Sequence, residues 1–241
     1  MQNVLNVLNV QGNQKSVVTD PQASLSREIT NLPGLLAYYP LNETSGSAIN
    51  RAPATYGSYN GTVSNATQGA AGSIGKAYSF DGSGDRVIVT SIAPAATFSF
   101  MLAFKRNGDA DANDRMIDQA SGGPTKGWHI QVDADGNLAL KTWNDSGASL
   151  SLNFGVVADG EWVVIGGSIG ASESKLYLNG SEVASGGGNS FGTGVTADLQ
   201  FGCRSGGTSN PMSGSLQHVA IGSNVEWTPA AHAEIASFFL T

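Results

Sequence analysis

Two stretches place hard oxygen ligands at alternate positions, the spacing that metal binding or paired-carboxylate hydrolysis requires. Asp109-Ala110-Asp111-Ala112-Asn113-Asp114 has the alternation of a calcium loop, so Asp109, Asp111 and Asp114 are candidate Ca2+ ligands. The EF-hand pattern fails there, because position six is Asp114 where glycine is needed and position twelve is Ala120 where glutamate is needed. Asp133 and Asp135 form the second pair. Hydrolysis of a glycosidic bond with retention needs two carboxyls about 5–5.5 Å apart, which alternate positions of one strand supply. Both pairs fall in predicted loops, where spacing fixes no geometry, so no catalytic residues are assigned.

Other reactive patterns are weaker. Gly-x-Ser-x-Gly occurs at 166–170 and 188–192, but neither copy precedes a predicted helix, as a nucleophile elbow demands. Ser168 and Ser190 are expected to be turn residues. His129, His218 and His232 have no Cys, Asp or second His at ligand spacing and are expected to be surface or half-buried. Cys203 is the one cysteine and reads as a small buried hydrophobe. No cofactor is expected.

The elements that must position these residues are strands. Charged residues make up 13% of the chain, against an average near 25%, and the 32 glycines favour strands joined by tight turns. The 241 residues suffice for one large sandwich. Phe98, Phe100, Leu102 and Phe104 alternate with Thr97, Ser99, Met101 and Ala103, giving one aromatic face. Residues 128–132 and 138–143 flank Asp133-Ala134-Asp135-Gly136-Asn137, which reads as a hairpin. Pairing Val132 with Leu138 puts Trp128, Ile130, Val132, Leu138 and Leu140 on the core face and His129, Gln131, Lys141 and Trp143 on the other. An aromatic ring flanked by hydrogen-bonding groups suits a sugar, which stacks its apolar face and bonds its hydroxyls. Tyr56 and Tyr59, in a Gly/Ser-rich loop, are a second aromatic surface. Trp162–Ile165 reads as a strand buried on both faces, with Trp162 in the core. Asn179-Gly180 is a turn signal, and Thr228-Pro229 begins a short helix.

Residues 1–33 differ from the rest. Asn3, Asn6 and Asn9 recur every third position between Val and Leu, a period of neither helix nor strand. Asp20-Pro21 is a turn signal. This segment is expected to be an extended arm that anchors or oligomerises the protein, with a domain over 34–241. The opening has no basic n-region and no continuous apolar h-region, so it does not read as a signal peptide. A net charge of −7, with 12 Lys+Arg scattered through the chain, argues against nucleic acid, and no apolar run is long enough for membrane insertion.

Four segments carry a family resemblance over nearly all of 34–241. GKAYSFDGSGDRVIV at 75–89 closely resembles the "GKALSFDGSGDYV" signature of laminin-G-like domains of the concanavalin A-like lectin/glucanase superfamily. GLLAYYPLNETSG is similar to the family's "LVAYWPLDEGSG" opening. DGEWV followed by KLYLNGSEVAS is similar to "GQWHHVA…LYVNGELVAS", and 212–221 with 228–239 to "FNGLIDDVRIY…LSAEEIAAL". The resemblance implies an all-β jelly roll of two antiparallel sheets with a short C-terminal helix, used for recognition. Calcium-binding members draw on the "IDD" acids, which are Gln217 and His218 here. Sandwich plus arm looks like accessory bacteriophage proteins: capsid decoration, head-fibre or tail-associated. On that expectation the arm meets capsid or tail proteins, the chain is a homo-oligomer (a trimer is one form), and the sandwich faces out from the virion and binds a glycan. The alternatives are an extracellular bacterial carbohydrate-binding module or adhesin, and a glucanase.

Overall fold

The computed structural model describes residues 20–108, 113–120, 126–189 and 195–240. Helix α1 (Pro21–Thr30) leads into β1 (Leu35–Tyr39), β2 (Thr62–Ser64), β3 (Thr67–Ala71), β4 (Lys76–Asp81), β5 (Arg86–Val89), β6 (Phe98–Arg106) and β7 (Asp114–Ala120). Strands β8 (Gly127–Val132), β9 (Asn137–Trp143), β10 (Ser149–Val156), β11 (Trp162–Ile169), β12 (Glu173–Leu178), β13 (Ser181–Gly187), β14 (Leu199–Phe201) and β15 (Ser213–Ser223) follow, and α2 (Pro229–Ser237) closes the chain. Eight strands form one antiparallel sheet, ordered β13-β12-β11-β6-β15-β4-β3, with β1 pairing β15 beyond β4. Seven form the other, ordered β10-β9-β8-β7-β14-β5-β2. This is the expected jelly-roll sandwich. Among the described residues no helix is long and apolar enough to cross a membrane.

The aromatic face of β6 fills the space between the sheets. Phe98 and Phe100 lie against Trp128 with ring centroids 4.9 and 5.2 Å apart, and Phe104, Ile130, Val132, Leu138 and Leu140 join them, all buried. The predicted Val132–Leu138 register holds. Its turn is tied by Asp133, whose Oδ1 accepts from the backbone N–H of Asp135 and Asn137 at 3.0 and 2.8 Å. The Asp81–Asp85 bend joins β4 and β5, which lie in different sheets, so it turns the corner of the sandwich. Gly82 and Gly84 take φ of 80° and 92° there, angles glycine adopts without strain.

A second apolar cluster lies outside the eight-stranded sheet. Tyr38, Met101, Ala103, Val164 and Ala220 are covered by Leu25 and Ile29 of α1 and by Trp227, Ile235, Ala236 and Phe239 around α2. This corrects the single arm expected over 1–33. Asp20 caps α1 by accepting from Gln22 N–H, Pro21 opens it, and Leu25 and Ile29, one turn apart, fix it back onto its own sandwich. Residues 1–19 lie outside the described residues. Trp162 is corrected too. On β11, Val163 and Ile165 enter the sandwich, while Trp162 is half-buried on the outer side with Lys105 Nζ 5.7 Å from its ring.

Residues 166–169 lie within β11, so Ser168 is a strand residue, not a turn residue; its Oγ is buried 3.0 Å from Ser99 Oγ. Ser190 lies outside the described residues. The adjacent glycines serve opposite faces. A Cβ at Gly167 would meet the Phe100 ring at 2.5 Å, and one at Gly166 would meet His232 Nδ1 of α2 at 2.3 Å. We expect Gly166→Val to lift α2 off the sheet and cost about 1–3 kcal/mol. Differential scanning calorimetry checks this, and an unchanged melting temperature would mean that α2 is not held there.

Candidate functional site

The outer face of the seven-stranded sheet gathers the polar residues. Strand alternation and register put Gln200 beside Asp118, Asp118 beside His129 and His129 beside Lys141 in one row across β14, β7, β8 and β9. The next row runs Ala120, Gly127, Trp143, so the indole has only small neighbours on β8 and β7. Trp143 lies over His129 with ring centroids 5.2 Å apart. All four predicted residues, His129, Gln131, Lys141 and Trp143, therefore share one face. Their roles divide. Trp143 and Lys141 are half-buried and reach solvent, whereas His129, under the Trp143 ring, and Gln131, which donates to Asn113 Oδ1 at 2.8 Å, are 2% and 5% exposed.

Sequence reasoning missed Arg115, Asp118 and Arg204. A bulge between Arg115 and Ile117 breaks the alternation of β7, hiding which side chains face outward. Arg115 donates to Asp118 at 2.8 Å, and Asp118 also accepts from the backbone N–H of Ala120 and Ser205 at 3.0 and 3.2 Å. Residues 202–212 fold over this side. Gln200 Nε2 donates to the Gly207 carbonyl at 2.9 Å, and Arg115 N–H to the Asn210 carbonyl at 3.2 Å. That loop, with Ala120, Thr196, Ala197 and Asp198, encloses a cleft of about 610 Å3 into which Arg204 and Asp198 face.

Burial raises the Asp118 carboxyl above the usual carboxylate range, opposed by Arg115 and the two backbone donors, which favour the ionised form. Burial, then the charges of Arg115 and Lys141, push His129 down to about 2, so its imidazole is neutral in ordinary solution. Neither ring nitrogen has a hydrogen-bond partner. His218 and His232 are buried as well, and burial lowers them to about 3 and 4. The expectation of surface or half-buried histidines is corrected at all three, because each packs against an aromatic ring.

Of the calcium candidates only Asp114 falls among the described residues. Asp109 and Asp111 lie outside them, and Asp114 begins β7 at 1% exposure. Cys203 is buried as expected. Tyr56 and Tyr59 stand exposed between β1 and β2.

Residues 81–226 match the laminin-G-like family model of the concanavalin A-like lectin/glucanases superfamily. The chain belongs to this superfamily. No curated protein matches the sequence. Among solved structures, this laminin-G-like chain is similar to domain 4 of AbnA, a GH43 extracellular arabinanase from Geobacillus stearothermophilus, in complex with arabinotriose. The identity is 21% with a TM-score of 0.67, covering 84% of this chain and 98% of that one. It is also similar to the botulinum neurotoxin serotype D ligand-binding domain in complex with N-acetylneuraminic acid, at 15% identity and a TM-score of 0.65, over 90% of this chain. The alignment spans 52% of that neurotoxin domain, about half its length. The sandwich fold is what these two structures share with the chain.

Proposed function

We propose that this protein is a non-enzymatic glycan-binding sandwich, carried on a bacteriophage particle as an accessory structural protein. The observation that supports glycan binding is the half-buried Trp143 ring, held over neutral His129 with Lys141 in the next row. A ring fixed by packing offers a flat apolar platform, and the neighbouring polar groups select hydroxyls. A binding role is favoured over hydrolysis because Asp118 is engaged by Arg115 and two backbone donors. A retaining glycosidase needs a second carboxyl about 5–5.5 Å away. Among the described residues that row supplies Gln200, His129 and Lys141 instead.

The virion reading rests on the sandwich preceded by the Asn/Val/Leu repeat of the first ten residues, and the folding of α1 back onto its own sandwich counts against it. With α1 docked on the sandwich, attachment to capsid or tail proteins, and assembly into a homo-oligomer, fall to residues 1–19. Repetition on a particle would convert weak sugar affinity into avidity. A second reading, an extracellular bacterial carbohydrate-binding module, is favoured by the match to 98% of the arabinanase domain. Mass spectrometry of purified phage particles separates them: stoichiometric presence supports the first, and recovery only from bacterial culture medium supports the second.

Trp143→Ala should abolish retention on a glycan that the wild-type protein binds, with the melting temperature held within about 2 °C, since a half-exposed ring adds little to the core. Affinity electrophoresis beside thermal melts checks this. Undiminished retention would move the site elsewhere.

A further inference from the structure

Among the described residues, two cations make no ion pair, carbonyl bond or ring contact: Lys141, one row from Trp143, and Arg204, whose charge acts on Asp118. Every other described Lys or Arg is engaged. Arg27, Arg51, Arg106, Arg115, Lys126 and Lys175 have ion pairs, Lys76 and Arg86 bond backbone carbonyls, and Lys105 faces the Trp162 ring. Lys141 and Arg204 are half-buried and have none of these contacts. Lys141 lies one row from Trp143, and Arg204 is held over β7 by the bond from Ser205 N–H to Asp118.

Charges on one face of an acidic protein are informative when they run against its net charge of −7. The acidic groups nearby do not cancel the two cations. Asp118 is paired with Arg115 and also feels the charge of Arg204, Asp145 is paired with Lys126 at 3.1 Å, and Asp198 lines the cleft beside Arg204 without an ion pair to it. The charges of Arg115, Lys141 and Arg204 all act on His129, whose Nδ1 also lies 3.9 Å from Asp118 Oδ2. Strands lie about 4.8 Å apart, so Lys141 on β9 and the Arg204 loop over β7 stand roughly 10 Å apart, room for a short oligosaccharide.

From Lys141, Trp143 and Arg204 we infer that the outer-face site takes an anionic saccharide, one bearing carboxylate or sulfate groups. The inference rests on the proposed glycan-binding role and names its ligand class. Trp143 stacks a sugar face, Lys141 and Arg204 meet the anionic groups, and Asp198 accepts from hydroxyls at the cleft end.

The test is isothermal titration of the full chain with sialyllactose and oligogalacturonate as carboxylate probes, a heparin tetrasaccharide as sulfate probe, and lactose and arabinotriose as neutral probes. We expect binding of at least one anionic probe, weakened by added salt. Lys141→Gln and Arg204→Gln should each weaken it about tenfold, Lys141→Arg should retain it, and thermal melts should stay unchanged. Which probe binds tells carboxylate from sulfate. Binding of a neutral probe that needs Trp143 but is indifferent to both Gln variants would overturn this inference and leave glycan binding standing. Binding of no probe by folded protein would overturn both.

Discussion

Lowering the pH from about 7.5 to about 5 should remove roughly 6 kcal/mol of folding stability, because three histidines are buried neutral. His129, His218 and His232 are depressed to about 2, 3 and 4 from an ordinary 6.5. A histidine lowered in the folded state takes up its proton mainly in the unfolded chain. Its stabilising contribution is complete above pH 6.5 and is lost as pH falls toward the folded value. At pH 5 each site has lost about 1.5 pH units of linkage, about 2 kcal/mol, and the three together approach the whole stability of an average domain. Asp85 and Asp118, raised mainly by burial, act in the opposite sense. For a chain of this size the melting temperature should fall by roughly 10–25 °C. His232→Phe keeps a ring stacked on Tyr177, now 4.1 Å from His232, and should make the fall about one-third shallower. Melts across this pH range check both statements, and a flat profile would mean that the histidines reach water.

Phe100→Ala should cost about 3–5 kcal/mol. The ring is fully buried, lies 5.2 Å from the Trp128 ring centroid, and covers the bare backbone of Gly167 on β11. Removing it leaves a cavity between the sheets that Gly167 cannot fill, since it has no side chain to move. Urea unfolding measures the loss. A value below about 1 kcal/mol would show that β6 presents its other face to the interior.

What was legible in the sequence depended on whether one face of a strand met one environment. Residues 98–104 and the 128–143 hairpin alternate cleanly, so the core, the register and the His129/Gln131/Lys141/Trp143 face could all be read. Met101 and Ala103 were read as the other face of β6; of the two helices covering them, α2 was foreseen and α1 was not. Asp20-Pro21 is the same cap-plus-proline signature as Thr228-Pro229, yet it reads as a turn, because α1 carries only Leu25 and Ile29 as buried residues and its remaining face is polar. Tertiary packing, not intrinsic propensity, makes that helix. Trp162 was misplaced because β11 is apolar on both faces, which removes the alternation that would orient it. Arg115 and Asp118 were hidden by the β7 bulge, and Arg204 by a loop whose fold depends on distant partners, Asp118 among them.

The most direct measurement follows the four indole N–H signals of the chain during titration with a glycan it binds. Trp128 Nε1–H is bonded to Gln119, and Trp227 Nε1–H to the Pro33 carbonyl, so neither should move. Trp162 lies on the opposite sheet and should also stay fixed. A shift confined to the Trp143 resonance is the predicted result; movement of Trp162 or Trp227 with Trp143 unchanged would contradict recognition through the outer face of the seven-stranded sheet.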